Sequence, residues 1–92
     1  DLKILEITVE EKIKLGLSPT NMALRAKWIP NLAARKAGLK NGDIIVEVAD
    51  NRQAISTAQF NLLIRLNYQS GDTVPVKVQR NSQTLSLELP MP

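Results

Sequence analysis

The run Ala33-Ala34-Arg35-Lys36-Ala37-Gly38-Leu39-Lys40-Asn41-Gly42-Asp43-Ile44-Ile45 leaves this backbone few choices. Its alanines are small enough for a short helix, predicted over about 32–37 with Asn31 as cap, to pack closely on a sheet. Gly38 suits the left-handed position that ends such a helix. Leu39 can then fold back onto Ala34, the hydrophobic contact of a Schellman stop. Asn41-Gly42-Asp43 turns the chain into Ile44-Ile45-Val46-Glu47-Val48. That segment is aliphatic on both faces at first and alternates later, the pattern of a central strand. Gly38 and Gly42 stand where the backbone must reverse without a Cβ clash.

The other elements follow from period and punctuation. Leu2, Ile4 and Ile7 begin an alternating stretch, a short strand. Thr8 stands three residues before Glu11, the capping-box spacing, and opens a short helix that ends near Gly16. Met22 to Ile29 places Met22, Leu24, Ala26 and Trp28 on one face of a strand that Pro30 stops. Asp50-Asn51 is a turn, with Asn51 able to take positive φ. Ser56, three residues before Gln59, opens the longest helix, through about Asn67, and Ser70-Gly71-Asp72 breaks it. Val74, Val76 and Val78 share one face of a strand, and Leu85, Leu87 and Leu89 share a face of the next, joined by a hairpin at Asn81-Ser82-Gln83. Pro75 cannot donate to a ladder, so its nitrogen is expected at an edge or a bulge.

Ninety-two residues make one small domain with a modest core, and a 43% hydrophobic content sets the chain apart from a disordered tail. The core must be aliphatic, because Phe60, Trp28 and Tyr68 are the only aromatics. Cysteine and histidine are absent, which removes disulfides, thiolate metal sites and the commonest general base. The net charge of +3 invites a nucleic-acid reading. Yet Lys12, Lys14, Arg25, Lys27, Arg52, Lys77 and Arg80 are scattered and interleave with Glu10, Glu11, Asp43, Glu47 and Asp50, the pattern of a solvated surface. No apolar run approaches the ~20 residues of a membrane span, and no signal-peptide pattern is present. The chain starts at an aspartate and stops just after a strand-like run, as expected of a domain excised from a longer protein.

The alanine-rich run ending in Ala37-Gly38-Leu39 and the following Gly42-Asp43-Ile44 resemble the PDZ domains of bacterial proteases. The resemblance covers nearly the whole chain. Leu15-Gly16-Leu17 resembles the end of the family's first short helix, and Leu24 to Pro30 the strand before the alanine-rich turn. Phe60, Leu63 and Ile64 resemble the apolar face of its long helix, and Gly71-Asp72-Thr73-Val74 with Val76-Lys77-Val78-Gln79-Arg80 its final hairpin. The fold class implied is α+β and mainly β: a small, partly open barrel or sandwich of about five strands with one long and one or two short helices. Residues 1–92 would be one such domain.

The resemblance also implies a function, the docking of an extended or C-terminal polypeptide segment by strand addition. The family's ligand lies beside an exposed strand, here Leu2 to Ile7, with the long helix as opposite wall. Asp1 falls near a glycine of the family's carboxylate-holding loop, a departure that sets an acidic side chain there. The candidate peptide-binding residues are Leu2, Lys3, Ile4 and Leu5 on the strand and Gln59, Leu62, Leu63 and Leu66 on the helix. At 100° per residue Phe60, Leu63, Ile64 and Asn67 cluster on one side, while Leu62, Leu66 and Gln59 lie further around. A wide apolar arc suits a groove wall; a deeply wrapped helix, or one touching a neighbouring domain, would show it too. Trp28 reads as core or edge of core by its alternation, or as an exposed anchor.

No catalytic set emerges. Ser18, Ser56, Ser70, Ser82 and Ser86 read as turn, cap, loop or hairpin residues without a histidine to activate them. The acids lack calcium-loop spacing, and no cofactor or metal is expected. The partners expected are a polypeptide segment and a neighbouring domain of the parent protein, with no nucleic acid and no membrane span. The resemblance alone suggests a periplasmic or cell-envelope setting. The alternative is a structural interaction domain with a blunted groove, packing on a neighbouring domain or on itself.

Overall fold

The corner at Gly38 and Gly42 forms as its residues dictate. The computed structural model describes residues 3–28 and 32–90, the side chains of Lys3, Trp28, Leu32 and Ala33 excepted. The expectations attached to Asp1, Leu2, the Pro30 stop, the Asn31 cap and the side chains of Lys3 and Trp28 lie outside the described residues. Helix α2 (Leu32–Lys36) ends with both Schellman bonds: Leu39 N–H donates to Ala34 C=O at 3.2 Å and Gly38 N–H to Arg35 C=O at 3.1 Å. Gly38 and Gly42 hold φ of 110° and 90°, the left-handed region in which a Cβ is costly.

Asp43 closes the corner. It is only 2% exposed, and a buried carboxylate must be paired. Arg80 Nε donates to its Oδ1 at 2.7 Å, Arg80 Nη2 donates to its Oδ2, and Lys40 N–H donates to Oδ2 at 2.9 Å. The same Arg80 Nη2 reaches Gly38 C=O at 2.7 Å. The carboxylate in turn holds the guanidinium proton more tightly than usual. One arginine near the chain's end thus ties down a turn far back in the sequence.

The described strands are β1 (Lys3–Glu6), β2 (Leu24–Trp28), β3 (Ile44–Val48), β4 (Thr73–Arg80) and β5 (Gln83–Pro90). They form one open antiparallel sheet in the order β1-β2-β3-β4-β5, so β1 and β5 are its edges. Helices α1 (Val9–Lys14) and α3 (Thr57–Asn67) complete the fold. β3 is central, as its aliphatic run predicts. Ile45 and Val48 enter the main core, and Ile44 joins Ile7 and Ala23 in a smaller cluster. The main core gathers Ile4, Met22, Leu24, Ala26, Phe60, Val74, Val76, Val78 and Leu89 among others.

Several details correct the sequence expectations. Val74, Val76 and Val78 stand opposite Leu89, Leu87 and Leu85, so valines and leucines share one core face. The hairpin turn is two residues, Asn81 and Ser82, both at positive φ as a twist-matched turn requires, and Gln83 already belongs to β5. After β3 the positive φ values fall on Ala49 and Asp50, with Asn51 pairing back to Val48. Pro75 sits in the interior strand β4, with neither an edge nor a bulge at its position. Its C=O, and hence its nitrogen, faces the end of β3, where Ala49 N–H donates to it at 2.9 Å beyond the last strand residue. The lost donor therefore falls where the ladder has already given way to a turn.

The charge pattern also misleads at three places: Lys12, Asp43 and Glu47 are buried rather than solvated. Glu47 lies between Arg52, whose Nε donates to its Oε1, and Lys77, whose Nζ is 3.6 Å from Oε2. The hydrogen bond from Arg52 lowers its pKa against the opposing effect of burial, and the charge of Lys77 adds to the lowering.

Candidate functional site

The free edge of β1 lies beside α3, whose Leu62 and Leu66 are exposed. Ile7 N–H donates to Ala23 C=O at 3.1 Å, and Ala26 pairs away from β1, with Asp43 C=O and Gly42 N–H. Alternation along an antiparallel ladder then turns Leu5 toward β2 and leaves the N–H and C=O of Ile4 and Glu6 pointing off the open edge. These are the groups a further strand would pair with.

Helix α3 supplies the other wall. Ser56 caps it in a reciprocal box: Gln59 N–H donates to Ser56 Oγ at 3.1 Å, and Ser56 N–H to Gln59 Oε1 at 2.8 Å. Phe60 drives the helix onto the sheet and is buried, with Leu63 and Ile64 half-buried beside it. Thr57 N–H, at the helix start, donates to Glu6 Oε1 at 3.2 Å and so links helix to strand. Gln59 lines a cleft together with Glu6 and Ile7, which identifies its flank as the one facing β1. Leu63 and Leu66, four and seven residues on, continue that flank along the helix. Leu62 is 52% exposed and Leu66 74% exposed, so both leucines present apolar surface to solvent.

The strand candidates divide. Leu2 lies outside the described residues, and Lys3 contributes a described backbone only. Ile4 offers its main chain, since its side chain is buried in the core. Leu5 is exposed, but alternation places its side chain on the face opposite Ile4 and therefore away from α3. Glu6 and Lys12 were not singled out from sequence. Glu6 acts across the groove through a contact between residues fifty-one positions apart. Lys12 Nζ donates to Asn21 C=O at 2.7 Å and Pro19 C=O at 3.3 Å. Neither residue carries a local sequence signal.

The comparisons with known proteins identify the family and the fold. A family model described as "PDZ domain" matches residues 14–91. The chain belongs to the PDZ domain family, whose members are peptide-binding rather than catalytic modules. It is similar to a probable periplasmic serine endoprotease, DegP-like, of Marinomonas sp. (strain MWYL1), with 35% identity over 88 residues. That match takes in 94% of this chain but only 18% of the relative, so the chain spans less than a fifth of that protein's length. Its fold is similar to that of the HtrA3 PDZ domain crystallised with a phage-derived ligand (FGRWV), with a TM-score of 0.71. That likeness covers 97% of this chain and 79% of the other at 18% identity. The bacterial protease-associated PDZ resemblance drawn from the Ala33–Ile45 run is thus the family found.

Proposed function

We propose that this domain binds an extended or C-terminal polypeptide segment by adding it as a strand to the open edge of β1. The observation that carries the reading is the outward-facing main chain of Ile4 and Glu6 opposite the exposed leucines of α3. Main-chain pairing gives the ligand its register, and Leu62, Leu63 and Leu66 give it an apolar slot. The peptide on the HtrA3 PDZ domain supports the same mode here. In the parent protein the domain presents substrate to, or regulates, a fused domain. The relative's description as a periplasmic endoprotease supports that role and an extracytoplasmic setting. Among the described residues no helix is long and apolar enough to cross a membrane.

The test is a titration of hydrophobic-tailed peptides followed by NMR. Amides of residues 2–7 and 59–66 should shift, and Leu66→Asp should abolish the shifts while the fold persists. Shifts confined to the Trp28 face would refute this surface. A second reading, packing on a neighbouring domain or on itself, is favoured by the exposed Val9 and Ile13 on α1. Sedimentation of wild type and Ile13→Asp at increasing concentration decides it: a monomer throughout removes self-association.

A further inference from the structure

Where β1 gives way to α1, a cleft of about 230 Å³ continues the groove beyond Glu6, lined by Glu6, Ile7, Lys12, Ser56 and Gln59 among others. Its polar groups are committed on one side and open on the other. Glu6 Oε1 accepts from Thr57 N–H, and the other carboxylate oxygen has no partner among the described residues. Lys12 is 6% exposed, and its ammonium meets only two carbonyl oxygens, with no carboxylate in ion-pair reach among the described residues. Three hydrogens against two acceptors leave it one donor in hand. Gln59 has given its Oε1 to Ser56 N–H, so its NH2 group is what remains for the cleft. The cleft therefore offers an anionic acceptor from the strand wall, and a cationic and a neutral donor from the others.

We infer that this cleft is a side-chain subsite for asparagine or glutamine in the bound peptide, at the ligand residue that passes Glu6. The inference rests on the groove reading above and deepens it. A carboxamide carries an acceptor and donors on one small plane. Its oxygen accepts from Lys12 and Gln59 while its NH2 donates to Glu6, and no like charges meet. A ligand carboxylate faces Glu6, and a ligand ammonium or guanidinium faces Lys12. An apolar side chain leaves three polar groups of the cleft desolvated and unpaired, which is how such a site rejects it.

The experiment uses four peptides identical except at this residue, which carries Gln, Glu, Lys or Ala. Its position in the ligand is fixed by the amide shifts of Ile7, Lys12 and Gln59, and affinities are read by calorimetry. On the wild-type chain the Gln peptide should bind tightest, with the others weaker by roughly tenfold. Glu6→Gln leaves Lys12 as the cleft's one charge, so the Glu peptide should then exceed the Lys peptide by about tenfold. Lys12→Met should reverse that order. Where Lys12→Met does not fold, because its ammonium secures the 19–21 loop, the exposed Glu6 substitution carries the test alone. An unchanged ranking in Glu6→Gln, or equal binding of the Gln and Ala peptides, overturns the subsite while groove binding stands. Absence of binding by all four, with residues 3–7 unmoved, overturns the groove and the subsite together.

Discussion

The Gly38–Asp43 corner and the β1 edge treat their polar groups in opposite ways. At the corner the buried carboxylate has Arg80 and Lys40 N–H as partners, and Arg80 also satisfies Gly38 C=O. At the edge, the main-chain groups of Ile4 and Glu6 face outward, and Leu66 stands largely in solvent. A buried polar group without a partner is costly, whereas one at an open edge is held by water until a strand replaces it. The corner therefore has its buried carboxylate satisfied within the fold. The edge keeps its main-chain groups open to solvent.

The sharpest way to break the comparison is at Arg80. Arg80→Met leaves Asp43 buried without its guanidinium and should cost about 3–5 kcal/mol in a urea melt. A loss near that of an exposed salt bridge would mean that Arg80 does not anchor the corner. The two glycines sharpen the same point. A Cβ on Gly38 would lie 3.2 Å from Leu87 Cδ2, whereas one on Gly42 would meet nothing within 4 Å. Both hold positive φ, so valine at either should cost more than ~1 kcal/mol, and Gly38→Val more than Gly42→Val. Equal midpoints for the two would show that backbone strain, not the approach to Leu87, sets the cost.

The Glu47 cluster should give a smaller, pH-dependent effect. Arg52 holds the folded pKa below the ordinary 4.5, so the folded state gives up its proton more readily than the unfolded chain. The contribution is full above the unfolded value and is lost as pH falls through the lower folded one. Denaturant midpoints taken from neutral pH downward should fall less for Glu47→Gln than for wild type. Equal slopes would show that Glu47 is not a source of acid sensitivity. The edge should respond least in stability and most in binding. Leu66→Asp is expected within about 0.5 kcal/mol of wild type, because the side chain is exposed. It should nonetheless remove peptide-induced shifts, and a large stability loss instead would assign Leu66 to the core.

Local chemistry determined much of this protein by itself. The Schellman stop at Gly38, the cap at Ser56, the central position of β3 and the order of elements are properties of short stretches. Neighbouring residues make the stop and the cap, and the aliphatic run of β3 marks a strand buried on both faces, so the chain's order already contains them. Leu62 and Leu66 were legible for the same reason, since a helix fixes its own faces. Tertiary structure decided the rest. Pro75 is tolerated in an interior strand because β3 ends before it, and Leu5 leaves the groove because β1 sits with Ile4 inward. Lys12, Asp43 and Glu47 are buried although their sequence neighbourhoods look solvated. Glu6 meets α3, and Arg80 meets the glycine corner, across long stretches of chain. A charge's partner is whichever group the fold brings near it, and no period or spacing in the sequence encodes that distance.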